Sequence, residues 1–232
     1  MQKYILYYYS FCPFSRKIRF LLDEIGIEYK KVEIKPYENN KEFVKINPLA
    51  ETPVLIDEEH NIKIIDSYII AEYLKNIEYS KYTSLRDEYF GSSLREELEI
   101  DRLEMLFDKN FYNQVTRPLM HEKVFNSLTE KRKFCSPTKM NSIISNMNIL
   151  IEYMEYILTK NKWLAGEKFS LADISGATQI SICDYFGHVN WNKYVKLKNW
   201  YIITKSKKGF RNILNDKLPG FTAPENYNKL DF

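Results

Sequence analysis

The spacing of hydrophobic residues over the first 76 positions changes repeatedly between two periods. Short β-rich runs occur in four segments: Tyr4–Tyr8, Tyr29–Ile34, Pro53–Ile56 and Ile62–Ile65. Apolar residues recur at helical spacing in three segments between or after them: Ile18–Ile25, Glu42–Ile46 and Ile69–Leu74. The order strand, helix, strand, helix, strand, strand, helix predicts a mixed β-sheet covered by helices.

The rest of the chain has a different pattern, and from Asp87 to about Lys208 it contains no strand signal. Leu94 and Leu98 begin an amphipathic helix that runs to Phe107, and a second amphipathic helix covers Ile143–Leu158. The segment Ala172–Cys183 is apolar nearly all round, which predicts a central buried helix. We therefore predict an α/β domain followed by an all-α domain: residues 1–76, a linker at 77–86, and residues 87–232.

Composition and charge exclude several classes of protein. Of the 232 residues, 44% are hydrophobic and 15% aromatic, which is too rich for a long disordered chain. The formal net charge of +3 is too small to indicate nucleic-acid binding. Three widely spaced cysteines indicate a reduced protein without a disulfide framework. No signal peptide or membrane-spanning run is found, so we expect a cytoplasmic protein.

Positive charge concentrates near the C-terminus. Residues 193–217 contain eight basic side chains and one acidic one, Asp216. A solvated helix face explains such a run most simply, and a surface for an acidic partner is the alternative.

Cys12 is the candidate nucleophile, because it stands where the first strand meets the first helix. A helix N-terminus and the adjacent charges of Arg16 and Lys17 would favour the reactive thiolate. An inert thiol in a turn is about equally compatible with the sequence. Ser15 occupies the position of the second cysteine of a dithiol motif, so any redox chemistry would use one thiol.

Two further motifs precede predicted elements of the first domain. Pro53 begins a strand, where a cis peptide bond would turn the backbone of Val54 toward a ligand. Asp66 and Ser67 precede a helix, with Ser67 as the candidate N-cap. They either cap this helix or bind the carboxylate and ammonium groups of an amino-acid-like ligand.

The second domain carries a structural start signal, and the histidines give no metal signal. Ser170 and Asp173 have capping-box spacing, with Phe169 and Ile174 as the accompanying hydrophobic staple. The three histidines do not cluster with cysteines or carboxylates at metal-ligand spacing, so we predict no metal site.

Taken together, these motifs resemble the cytosolic glutathione transferase family over nearly the whole chain. The resemblance implies a thioredoxin-like first domain, an all-helical second domain and a homodimer. It implies that glutathione lies over Val54, with its γ-glutamyl end at Asp66 and Ser67 and its sulfur near Cys12. The implied glutathione-site residues are Cys12, Phe14, Pro53, Val54, Asp66 and Ser67. Cys12-Pro13-Phe14 is similar to the cysteine-type members, such as the omega class, whose thiol forms mixed disulfides with glutathione.

The helical half also resembles a narrower group, the GST-like cell-division proteins of alphaproteobacteria that bind FtsZ. The matching motifs are Phe107–Phe111, Val115-Thr116, His121–Val124, Asp184–Gly187, Leu218–Gly220 and a tail ending in Leu230-Asp231-Phe232. The resemblance implies FtsZ as partner, bound by His121, Glu122, Lys123, Tyr227, Asp231 and Phe232. We do not expect the Cys12 thiol to be a hallmark of this group. A glutathione-dependent transferase or monothiol thiol transferase that uses Cys12 therefore stays as the alternative.

Overall fold

The computed structural model describes residues 3–77, 83–126 and 136–230. The first domain contains these elements: β1 (Tyr4–Tyr8), α1 (Pro13–Glu24), β2 (Tyr29–Glu33), α2 (Lys41–Ile46), β3 (Val54–Asp57), β4 (Ile62–Ile65) and α3 (Ser67–Ile77). The second contains α4 (Thr83–Tyr89), α5 (Leu94–Met105), α6 (Leu106–Thr116), α7 (Arg117–Met120), α8 (His121–Phe125), α9 (Pro137–Leu158), α10 (Leu171–Tyr185), α11 (Val195–Ser206) and α12 (Lys208–Leu214). The elements α6 and α8 have the wider turns of a π-helix.

The first domain is built on a four-stranded mixed sheet in the order β2-β1-β3-β4. Strand β1 pairs parallel to β2 and antiparallel to β3, which pairs antiparallel to β4. Leu6 of β1 lies opposite Leu55 of β3, and both are fully buried. The predicted mixed sheet with helices is confirmed.

Helix α1 joins the two domains, because it packs against α10 and α12. Gly209 of α12 allows this close approach: a Cβ there would lie 2.5 Å from the backbone oxygen of Phe20. The Gly209 amide donates a 2.8 Å hydrogen bond to Glu24 at the end of α1. Glycine is therefore required where α12 meets α1.

The described part of the second domain contains only helices and an isolated bridge between Trp163 and Gly166. Every residue of α10 is buried, as predicted for the central helix. The capping box at Ser170 and Asp173 is also present.

The stripe predicted for the first long helix needs a correction. Leu94 and Leu98 are 72% and 59% exposed, whereas Ile100, Leu103 and Phe107 are buried. The helical period alone is compatible with either face, and packing against α10 selects the second.

The predicted linker at 77–86 is only partly described. Residues 78–82 lie outside the described residues, and residues 83–86 belong to the helix Thr83–Tyr89. Among the described residues, no helix has both the length and the apolar character needed to cross a membrane.

Candidate functional site

A cleft of about 300 Å³ opens where the N-terminus of α1 faces the helical domain. Both domains contribute to its walls. The first domain supplies Tyr9, Phe11, Cys12, Pro13, Phe14, Ile34, Pro36, Ala50, Glu51, Thr52, Pro53, Ile65, Asp66 and Ser67. The helical domain supplies Tyr112, Arg117, Met120 and Phe125. Five of the six predicted glutathione-site residues therefore lie around one cavity.

Cys12 is the N-cap residue of α1 and is partly exposed to the cleft. Its thiol donates to the backbone oxygen of Thr52 at 3.4 Å. Burial raises the pKa of the Cys12 thiol, and hydrogen bonds from Ser15 and from the Phe14 amide oppose this shift only in part. The pKa of Cys12 is raised overall, which favours the neutral thiol over the nucleophilic thiolate.

The expectation that neighbouring charges activate Cys12 is wrong, because both basic side chains are buried elsewhere. Arg16 donates to the backbone oxygen of Ser10 and to the hydroxyl of Ser181. Lys17 binds the carboxylates of Glu104 and Asp108 across the domain boundary. Neither side chain lines the cleft.

The Thr52–Pro53 peptide bond is cis, as considered from the sequence, and both residues line the cleft. Val54 does not line it. Its side chain is fully buried in a small cluster with Ile34 and Phe43.

The expected N-cap of α3 was Ser67, but the capping hydrogen bond is made by Asp66. Ser67 is the first residue of α3, and the Asp66 carboxylate accepts a 2.7 Å hydrogen bond from the Tyr68 amide. Asp66 is exposed and has a φ of +81°, in the left-handed region that aspartate tolerates better than most residues. The buried Ser67 hydroxyl and the exposed Asp66 carboxylate both border the cleft.

Sequence analysis missed the wall supplied by the helical domain. The ring of Tyr112 lies 4.5 Å from that of Phe14 across the cleft. Arg117 adds an exposed cation at the start of α7. Helical periodicity separates buried from exposed faces, but it does not show which exposed residues meet the other domain.

Tyr9 was also missed, although it lines the cleft beside Cys12. Its side chain is buried, and among the described residues its hydroxyl has no hydrogen-bond partner. Burial raises the pKa of this hydroxyl, so Tyr9 presents a neutral O–H group.

The predicted partner-binding residues divide into buried and exposed ones. Glu122 is buried and accepts from Lys139 at 3.0 Å, and Tyr227 is almost fully buried. His121 is exposed and Lys123 is half-buried. Asp231 and Phe232 lie outside the described residues.

The basic face at residues 193–217 is smaller than the sequence suggested. Lys193 pairs with Glu152 at 2.7 Å, and Lys207 pairs with Glu24 at 3.6 Å. Lys205 is fully buried and donates to the backbone oxygen of Asn226. Among the residues described, no group of histidine, cysteine or carboxylate side chains is placed to hold a metal ion.

A mixed sheet and an all-helical domain that enclose a cleft at a cis-proline are the architecture of glutathione S-transferases. The model of the glutathione S-transferase N-terminal domain matches residues 6–80. The structure of a glutathione S-transferase from Rhodospirillum rubrum F11 superposes with a TM-score of 0.91 at 29% identity, covering 99% of this chain and 100% of that one. The thioredoxin-like and helical domains predicted from the sequence are thereby confirmed.

The chain belongs to the glutathione S-transferase family. Within that family it is similar to FtsZ-localized protein A of Caulobacter vibrioides. It is 32% identical to that protein over 231 residues, which cover 98% of this chain and 97% of the relative. The structure of FzlA from C. crescentus superposes with a TM-score of 0.92 at 31% identity, covering 99% of this chain and 100% of that one. The similarity therefore includes both domains.

Proposed function

We propose that this protein is a GST-like cell-division factor that binds FtsZ filaments. The observation that carries the proposal is the similarity over 98% of the chain to a relative named for its localisation to FtsZ. The match extends through the helical half, where the division-type motifs lie. Because FtsZ is a cytoplasmic protein, the proposal places this chain in the cytoplasm.

The C-terminal segment, Leu218–Leu230, supports the proposal as a binding element held at a fixed place. Tyr227 anchors it, since this residue is only 1% exposed and packs against Tyr185. The next two residues, Asn228 and Lys229, are exposed. Residues beyond such an anchor reach a partner at less entropic cost than a free tail.

The test is co-sedimentation of the purified protein with polymerised FtsZ. Deleting Lys229–Phe232 should abolish co-sedimentation, whereas Cys12→Ser should leave it unchanged because Cys12 lies in the cleft. Unchanged sedimentation of FtsZ with excess wild-type protein would refute the proposal. Loss of binding in both variants would refute the assignment of FtsZ binding to residues 229–232.

Two copies of the chain would give two attachment points on a filament, and we propose a homodimer. Exposed apolar side chains lie on α5, namely Leu98 and Met105, and on α9, namely Ile149, Tyr153 and Tyr156. The two helices are neighbours, since Arg102 of α5 interacts with Tyr153. Exposed apolar side chains on neighbouring helices are typical of a subunit interface. Sedimentation velocity should show a dimer for the wild type and a monomer for Leu98→Glu, with the exposed Val44→Glu on α2 as control.

Glutathione binding in the cleft is the second candidate function. The arrangement that favours it is the Ser67 hydroxyl and the α3 N-terminus for a carboxylate, with the Asp66 carboxylate beside them for an ammonium group. Calorimetric titration with reduced glutathione tests this site. Asp66→Asn keeps a cap on α3 but removes the negative charge, so it should abolish binding while leaving stability near wild type. Equal affinity in Asp66→Asn and wild type would refute the role of Asp66.

Thiol transfer is the reaction that this second site would support. The Cys12 thiolate would attack a disulfide of glutathione, forming a mixed disulfide and releasing the other sulfur as a thiolate. Because burial raises the pKa of Cys12, this reaction is disfavoured at neutral pH. The raised pKa of Cys12 is one reason to favour FtsZ binding over thiol transfer as the function of this protein.

A further inference from the structure

Arg16 connects the cleft with the C-terminal segment, Leu218–Leu230. Its side chain is fully buried in α1. Nε donates to the backbone oxygen of Ser10 at 2.7 Å, two residues before Cys12. Nη1 donates to the Ser181 hydroxyl at 2.8 Å and to the Tyr227 hydroxyl at 3.4 Å, and Nη2 lies 3.5 Å from the carboxylate of Asp216. One guanidinium therefore holds both the loop that leads to Cys12 and the anchor of the C-terminal segment.

A row of aromatic rings joins the same two places. Phe11 lines the cleft, and its ring lies 4.6 Å from that of Tyr185 on α10. The ring of Tyr185 lies 5.1 Å from that of Tyr227. The Arg16 guanidinium covers Phe11 at 4.6 Å from the ring centroid. Movement of Tyr227 therefore reaches a cleft residue through a single intervening ring.

Other contacts of the segment are made within the helical domain. Lys205 donates to the backbone oxygen of Asn226 at 3.1 Å, and the Leu218 amide donates to the Tyr185 hydroxyl at 3.0 Å. These contacts hold the segment on α10 and α11. Tyr227 reaches the first domain in two ways: directly, through its hydrogen bond from Arg16, and through the ring of Tyr185, which contacts Phe11.

We propose that the C-terminal segment regulates the cleft, and that Arg16 is the positioning residue that couples docking of Tyr227 to the loop carrying Cys12. In a buried site water does not replace a lost hydrogen-bond partner, so removing one contact of Arg16 changes the others. The coupling is reciprocal, so a ligand in the cleft alters docking of the segment as much as the segment alters the cleft. This inference rests on the proposed function only in taking FtsZ as the partner that engages the segment.

The test is the pH dependence of Cys12 alkylation by iodoacetamide, followed by mass spectrometry of the peptide that contains Cys12. Tyr227→Phe removes only the hydroxyl that Arg16 contacts. We expect the midpoint of the pH–rate profile to shift by about half a pH unit, or about threefold in rate at a fixed pH below it. A purely structural role of Tyr227 would change the melting temperature and leave this midpoint in place.

Tyr194→Phe is the matched control. Tyr194 is also buried, is not a lining residue of the cleft, and does not contact Arg16. Its profile should coincide with that of the wild type. Ser181→Ala removes another contact of Arg16 without touching the segment, and it should shift the midpoint as Tyr227→Phe does. Wild-type midpoints in both Tyr227→Phe and Ser181→Ala would overturn the proposal.

FtsZ co-sedimentation of the same variants separates this inference from the proposed function. Absence of wild-type co-sedimentation would refute FtsZ binding and leave the Cys12 result standing as evidence of coupling. Intact co-sedimentation with unshifted Cys12 midpoints would refute the coupling and leave FtsZ binding standing.

Discussion

The environment of Cys12 shows how the fold changes the chemistry of a residue. The thiol stands at a helix N-terminus, which favours a thiolate, but the surrounding apolar walls disfavour the charge more strongly. The two basic neighbours in the sequence have other partners: Arg16 contacts backbone and hydroxyl groups and the Asp216 carboxylate, and Lys17 contacts two carboxylates. Adjacency in sequence therefore gives no electrostatic help to the thiol.

The alkylation rate of Cys12 should consequently rise only at high pH. A free cysteine has a pKa near 8.5, and the raised pKa of Cys12 places the midpoint of its pH–rate profile above that value. Ser15→Ala should raise the midpoint further, since the Ser15 hydroxyl stabilises the thiolate. The rate of alkylation by iodoacetamide, measured between pH 6 and 10, gives the midpoint for each protein. A wild-type midpoint below that of free cysteine would contradict the raised pKa of Cys12.

At the scale of elements, α10 depends on the carboxylate of Asp173. One oxygen accepts from the Leu164 amide and the Trp200 indole at 2.9 and 2.8 Å, and the other accepts from the Ser170 amide at 3.0 Å. The capping box therefore fixes more than the start of α10, because it also binds the preceding loop and α11. Sequence spacing identified the box, but the contacts with Leu164 and Trp200 required the fold.

Replacing Asp173 by alanine should destabilise the protein severely. Four buried donors, including the Ser170 hydroxyl at 3.3 Å, lose their acceptor. Each unsatisfied group costs about 1–3 kcal/mol, so we expect a total loss of about 4 kcal/mol or more. Asp173→Asn keeps one acceptor oxygen and should cost less. Urea unfolding at pH 7 measures both variants, and equal stability of Asp173→Ala and wild type would refute the role.

The difference in unfolding free energy between wild type and Asp173→Asn should also depend on pH. Burial raises the pKa of Asp173 to about 6, above its unfolded value, so the stability that its protonated form contributes is lost as the pH rises. Between pH 4 and 7, wild type should lose about 2–3 kcal/mol relative to Asp173→Asn. A constant difference over this range would show that the carboxyl stays ionised.

For the whole molecule, buried charges fasten the two domains together. Lys17 of α1 meets Glu104 at 2.7 Å and also binds Asp108, both from the helical domain. Burial alone would lower the pKa of Lys17, but the two carboxylates outweigh it and raise the pKa. Arg19 forms a second connection, with two hydrogen bonds to Asp216 at 2.8 and 3.0 Å.

Lys17→Met should weaken the domain interface, because it leaves the buried carboxylate of Glu104 and the partly buried carboxylate of Asp108 without a counter-charge. Removing one partner of a buried ion pair costs about 3–5 kcal/mol. The triple variant Lys17→Met, Glu104→Gln, Asp108→Asn should recover much of this loss, since no charge then stays buried. Denaturant unfolding at pH 7 compares the three proteins, and a neutral effect of Lys17→Met would contradict this role.

The sequence by itself determined the order of elements, the mixed sheet, the buried helix with its capping box and the family. These features follow from local periodicity and from motifs whose residues are close in the chain. The tertiary structure decided which residues line the cleft: Tyr9, Tyr112 and Arg117 do, whereas Val54 does not. It also decided that Leu94 and Leu98 face outward, that Arg16 and Lys17 bind partners other than Cys12, and that Tyr227 is an anchor. The reason is physical: desolvation and contacts between distant segments depend on how domains pack, and local pattern contains no record of that packing.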